Sequence, residues 1–438
     1  MQLLRFLTIA LIVGLTLTSP ARAVTLLRDP GIEHALRALG APVLRAAGLN
    51  PDRVDIMVID DASMNAFVID AGSIFIHSGL ILRMDSPAML QSVIAHEAAH
   101  IANGHLMRRP VNARNARNAA ALGTALAAAA GIAAGSGEFA AGAAAGVQGA
   151  AMRSFFAHTR AEENTADSSG ARFLNAAGVD ITGMVEVMDI FRGQESLSLS
   201  RQDAYARTHP LSRDRYRRVQ ALAQAQSRPV APDPEAAYWF ARAKGKLSAF
   251  QRAPRWTLTR AGEYGYEDVK LMRQAIAYHL RADLTRALSA IDGAIARRPG
   301  DPYLYELRGQ ILMESRQIKA AVAAYGRAAN LSSNNALILG AYGRALLADG
   351  QVQKAAQFLE SARSRDGRDV RVLRDLAQAE ARLGNNGQAS VLTAERYAMQ
   401  GRLKDARIHA ERASALLPRG SAAWQRAQDV LNASEIAK

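Results

Sequence analysis

"AHEAAHIANGH", Ala95 to His105, sets three histidines and a glutamate within eleven residues of a chain that has nine histidines in all. The run follows apolar residues from Pro87 and closes on the stop signal Asn103-Gly104, which predicts a helix over 87–103. Residues four apart on such a helix lie about 40° from each other around its axis. His96 and His100 therefore share a face and can grip one tetrahedral zinc ion, with Glu97 beside them as general base for a water molecule. A third ligand is required. The three-histidine zinc-protease pattern would need glycine at 103 and histidine at 106, where Asn103 and Leu106 stand, so His105 is out of register. It reads as a helix cap or as a support for a ligand.

A better third ligand lies in "RAEENTAD", Arg160 to Asp167. Glu163 and Asp167 are one helical turn apart and share a face. Glu163 completes a His2Glu set that leaves a fourth position open for water, and Asp167 can receive the free N–H of a ligating histidine and fix its tautomer. Glu162 reads as a solvated helix carboxylate.

The 438 residues suffice for two or three domains, and the absence of cysteine excludes disulfides, thiolate metal sites and nucleophilic thiols. Arg5, the apolar run from Phe6 to Leu17 and Ala21-Arg22-Ala23 read as a secretory signal over 1–23, with the mature chain beginning near Val24. A secreted chain without disulfides fits a bacterial envelope. The net charge of +14 suits peripheral contact with an anionic membrane surface. No nucleic-acid-binding motif accompanies it, so nucleic acid is not expected as a partner.

A helix is expected over 29–49, followed by two strands, "VDIMVID" (54–60) and "SIFIHSG" (73–79), separated by Asn65 and the turn-prone Asp70-Ala71-Gly72. Residues 108–152 are basic at first and then almost entirely Ala and Gly; they read as a helical lid or hairpin over the catalytic domain, a membrane hairpin being the other reading. Helices are expected again over 153–175, 180–193 and 211–226. "SRPVAPDP" (227–234) is a linker. Beyond it Leu284, Ile318 and Val352 are spaced by 34 residues, as are Ala287, Ala321, Ala355 and Ala389, and Gly350 and Gly384. That period is the signature of tetratricopeptide repeats. The element at 401–418 breaks the register by half a repeat, as a capping unit does. The organisation expected is a signal peptide (1–23), an α+β zincin-like metallopeptidase domain with a small sheet (24–226), a linker (227–234) and an all-α repeat solenoid (235–438).

Taken together, His96-Glu97-x-x-His100, Arg160, Glu163-x-x-Ala166-Asp167, "MNAFVIDAGSIFIHSGL" (64–80) and "THPLSRDR" (208–215) resemble the HtpX/BepA-type zinc metallopeptidases. The signal segment and the repeats make the chain most similar to their periplasmic branch, over nearly the whole mature chain. The long Ala/Gly segment departs from the family pattern. The resemblance implies one zinc ion held by His96, His100 and Glu163, Glu97 as the catalytic glutamate, and Asp167 and Arg160 as supports of the ligands. It also implies that Asn65, Ala66 and Phe67 border the site where an extended substrate adds as a strand. His209 then lies near the metal, either stabilising the oxyanion or occupying the open position and holding the enzyme idle; the bland alternative is a turn histidine before Pro210. The implied function is a periplasmic endopeptidase that degrades unfolded or misassembled outer-membrane proteins and docks through its repeats on the β-barrel assembly machinery. A chaperone or scaffold with gated protease activity, and a membrane-embedded protease, are the competing readings.

Overall fold

The computed structural model describes residues 26–106, 160–198, 201–226 and 230–436. The signal segment, the Ala/Gly segment 108–152 and residues 227–229 of the linker lie outside the described residues. Four strands form one sheet in the order β1-β2-β4-β3: β1 (Leu26–Leu27), β2 (Asp55–Ile59), β3 (Ala66–Asp70) and β4 (Ser73–His77). β2 and β4 run parallel, with Val58 opposite Ile76. Both are buried along nearly their whole length, which explains their continuous apolar runs. β3 folds back antiparallel on β4, and the Asp70 carboxylate accepts the Gly72 N–H at 2.8 Å to fix the turn. The sheet has two more strands than the local pattern picks out. β1 is two residues long and β3 leaves Ile69 exposed, so neither carries a readable alternation.

The motif helix, Pro87–Ala102, starts where the Ser86 hydroxyl accepts the Met89 N–H and Pro87 needs no partner for its missing N–H. It stops at Asn103 and Gly104, the latter at φ 67°. Every residue from Met89 to His100 is buried. A helix without a polar face must be central, and this one packs between the first helix (Pro30–Ala46), β3 and the helix Thr182–Phe191. The last of these approaches so closely that a Cβ on Gly183 would come within 2.6 Å of the Ala88 backbone. The polar side chains of the motif are thereby carried into the core.

From Pro234 the chain is helical. The second helices of successive pairs begin at Leu284, Ile318, Val352 and Asn386, the 34-residue spacing read from the sequence. Ala287, Ala321 and Ala355 are fully buried where the paired helices meet, while Ala389 is half-buried. The turns before these helices place Ala282, Arg316, Gly350 and Gly384 at φ 58°, 61°, 82° and 84°, and Gly401 repeats the device at 71° before the helix Leu403–Leu416. The first solenoid helix, Pro234–Gln251, serves two cores: Phe240 and Leu247 join the peptidase core with Leu36 and Ile56, while Tyr238 and Ala241 join the repeat core with Met272 and Ile276. The solenoid touches the sheet again farther on, where Asp366 pairs with Arg28 at 2.6 Å and Arg368 reaches Asp55 and Ser73. Among the described residues no helix is long and apolar enough to cross a membrane.

Left-handed backbone at a non-glycine residue costs about 1 kcal/mol. Arg316→Gly is therefore expected to raise the unfolding midpoint of the repeat region in urea, by about 0.5–1 kcal/mol, and Gly350→Ala to lower it by a similar amount. Unchanged midpoints for both would remove the strain argument.

Candidate metal centre

The motif helix presents His96 and His100 one turn apart, and the helical stretch 160–176 lays Glu163 and Asp167 against them. His209, at the C-cap of the short helix Ala204–Thr208, closes the group. The donor atoms of His96, His100, Glu163 and His209 all lie within 4.8 Å of one another, and all four residues are buried. The individual edges are more telling. His96 Nε2 lies 3.1 Å from His100 Nε2 and 3.2 Å from His209 Nδ1. The Glu163 carboxylate lies 3.3 Å from His96, 3.3 Å from His100 and 3.1 Å from His209. A tetrahedron drawn with zinc–nitrogen bonds of about 2.0–2.1 Å has edges of about 3.3 Å. The five separations quoted and the N/O donor types fit such an ion, while the set as a whole is looser, its donors lying within 4.8 Å.

The other nitrogens fix which lone pairs point inward. His96 Nδ1 donates to Asp167 at 3.1 Å, which leaves Nε2 for the metal. His105 Nδ1 lies 2.9 Å from His100 Nδ1, so the out-of-register histidine supports a ligand rather than serving as one. A proton on His100 Nδ1, accepted by His105, is the tautomer that leaves His100 Nε2 available.

Two buried carboxylates side by side require compensation. Arg215 supplies it, with a two-pronged bond to Asp167 at 2.7 and 2.8 Å, a contact of 3.1 Å to Glu163 and a third bond to the Pro210 carbonyl. Burial alone would raise the Glu163 pKa, but the charges and hydrogen bonds of His209, His100 and His96 hold it well below the ordinary carboxylate range. Burial likewise opposes ionisation of Asp167, and its bonds to Arg215 and His96 overcome it. Burial disfavours the charged form of both imidazoles. At His96 the bonds to Asp167 and Glu163 prevail and its pKa is pushed up to about 10. At His100 burial prevails and its pKa falls to about 3, so that ring is neutral.

Glu97 is fully buried, and one of its oxygens lies 3.4 Å from His209 Nε2. The same Nε2 lies 3.1 Å from the Ala66 carbonyl, on the open edge of β3. Asn65 accepts from the Thr208 hydroxyl at 3.0 Å, which ties the strand to the His209 turn. Phe67 stacks on Phe75 across the β3–β4 pair. Two expectations change. Arg160 is exposed, and the cation against the carboxylates is Arg215. Glu162, expected in solvent, is buried. Arg215 itself could not be singled out locally, because "SRDRYRR" holds four arginines and only the fold turns one of them inward. Tyr205 was missed as well: its ring packs between Phe191 and His209, and its backbone is bonded to Met64.

A four-stranded sheet, an H-E-x-x-H helix inside the core and a buried carboxylate from a second helix define a metallopeptidase. Residues 32–223 match the sequence model of peptidase family M48. The beta-barrel assembly-enhancing protease of Escherichia coli K12 is 28% identical over 391 residues, spanning 87% of this chain and 78% of that protein. The protein of the same name from Yersinia pestis is 24% identical over 394 residues, spanning 87% and 79%. Among solved structures, the tetratricopeptide-repeat protein YrrB aligns with 44% of this chain and 96% of its own at 17% identity, with a TM-score of 0.32.

Metal binding must displace the proton that His96 holds up to about pH 10. Metal affinity is therefore expected to rise by about tenfold per unit between about pH 7 and 9, with one proton released on binding; titration calorimetry in buffers of different ionisation enthalpy measures both. Arg215→Gln should weaken the metal by about 10–100-fold, read by competition with a chelating dye. An unchanged affinity would mean that Arg215 only packs.

Proposed function

We propose that this chain is a zinc endopeptidase of the periplasm that degrades misassembled outer-membrane β-barrel proteins and docks on their assembly machinery through its repeats. The observation that carries the catalytic part is the convergence of the buried His96, His100, Glu163 and His209 donors within 4.8 Å of one another beside Glu97. The signal segment supports the location. The names of the relatives support the substrate class, and the basic net charge supports peripheral membrane contact.

His96, His100 and Glu163 would hold the ion, with Asp167 and Arg215 fixing their orientation. Zinc bound there would supply Lewis acidity to the scissile carbonyl and to water. Glu97 takes the proton of the attacking water and passes it to the leaving amine. The open edge of β3 at Asn65, Ala66 and Phe67 offers backbone groups on which an extended substrate aligns as an added strand.

His209 faces both requirements at once. Its Nδ1 stands 3.2 Å from His96 Nε2 and 3.1 Å from the Glu163 carboxylate, and its Nε2 is bonded to the Ala66 carbonyl that a substrate strand would use. Of its two readings, oxyanion stabiliser or plug, this geometry favours the plug. The arrangement described is then the idle one, and turnover requires the ring to leave. The same feature favours a second reading, in which the chain acts mainly as a chaperone or scaffold with gated proteolysis.

Glu97→Gln should retain the metal and lose cleavage of an unfolded outer-membrane protein by about a hundredfold or more. His209→Ala should raise cleavage severalfold. A fall of about a hundredfold in the His209 variant, with metal retained, would instead assign it to the oxyanion.

A further inference from the structure

A groove of about 530 Å³ crosses the C-terminal repeats, between the helices Val370–Arg382, Asn386–Met399 and Leu403–Leu416. None of these helices contributes to the metal cluster. Small side chains, Ala377, Ala381 and Ala389, give it depth. Along one wall Asn386, Ser390 and Thr393 follow at intervals of about one helical turn. The Ser390 hydroxyl donates to the Asn386 carbonyl and the Thr393 hydroxyl to the Ala389 carbonyl, both at 2.8 Å. With their protons used inside the helix, both oxygens are left to accept hydrogen bonds.

The charge of the groove has one sign. Arg374, His409 and Arg412 line it, and none of its described lining residues is acidic. The Asp375 carboxylate beside Arg374 is shared by Arg374 at 2.8 Å and Arg344 at 2.6 Å, so two guanidinium groups meet one negative charge. Burial first, then repulsion from Arg412 and Arg396, holds the His409 imidazole below its ordinary pKa against the opposing charge of Asp405. Leu416, 55% exposed, adds an apolar contact at the rim.

We infer that this groove binds an extended acidic peptide segment of a partner protein, with carboxylates on Arg374 and Arg412, backbone N–H groups on Ser390 and Thr393, and an apolar side chain against Leu416. The mixture of cationic donors and hydroxyl acceptors decides the class of ligand. A peptide backbone offers N–H groups to those acceptors, and a concave groove does not admit a flat anionic bilayer.

The test uses the full chain carrying Glu97→Gln, so that the probe is not cut. Fluorescence anisotropy follows a labelled nine-residue peptide in which glutamate alternates with alanine around a central leucine, its lysine counterpart, and phosphatidylglycerol vesicles. The acidic peptide should bind and weaken as ionic strength rises. Arg374→Glu with Arg412→Glu should weaken it by about tenfold or more, and the milder Arg412→Gln by less. Arg297→Glu, an equal change of charge on another repeat, should leave it unchanged, with thermal melting by circular dichroism confirming that each variant is folded. Equal binding of the lysine peptide, no binding below about 1 mM, indifference to the Arg374 and Arg412 changes, or a preference for vesicles would each overturn the proposal.

Discussion

The pairing of Arg215 with Asp167 and Glu163 is the contact on which the site depends. Two carboxylates in a core with almost no solvent access would protonate or pull the helices apart unless a fixed cation faced them. Arg215 does so with bonds of 2.7 and 2.8 Å to Asp167, and the negative charge it stabilises is what orients His96. The chain of contacts runs from the C-terminal part of the peptidase domain, through the helix 160–176, to the motif helix. Three segments far apart in sequence thus become one object, and removing the cation would disturb a ligand it never touches.

One imidazole couples two functions at the mouth of this site. His209 reaches the donor cluster through Nδ1 and the edge strand through Nε2. Because the ring is rigid, a movement that draws Nδ1 away from the cluster also displaces Nε2. Access to the metal position and access to the β3 edge are therefore linked through this one ring. Tyr205, packed at a tilt against His209 and tied through its backbone to Met64, sets the position from which that ring would move.

The repeats are not a loosely tethered appendage. The helix Pro234–Gln251 lends one face to each core, and Lys246 on it is buried between Asp29 at 2.7 Å and Glu306 at 3.5 Å. A second bond between Arg28 and Asp366 closes the solenoid back on the sheet. Between the two attachments lies a cavity of about 640 Å³, lined in part by Leu26, Glu306, Arg344 and Arg371 and separate from the metal cluster. Buried ion pairs contribute little net stability but are severely penalised when one partner is lost. They therefore specify how the solenoid sits on the peptidase more than they strengthen it.

Local sequence settled whatever depends on helical spacing. His96 and His100, Glu163 and Asp167, and the columns repeating every 34 residues are each fixed by a short-range period, and the helices place them accordingly. Register alone was enough to set His105 apart, and it lies against the outer nitrogen of His100. Tertiary structure decided what no period encodes. It selected Arg215 over Arg160 and the neighbouring arginines, buried Glu162, and made a strand of the weakly alternating run after Asn65. It also brought His209 across 113 residues to His96. The physical reason is common to all of these: a single-turn pattern reports neighbours along the chain, whereas compensation of a buried charge and pairing of a strand edge come from whichever distant segment the packing brings near.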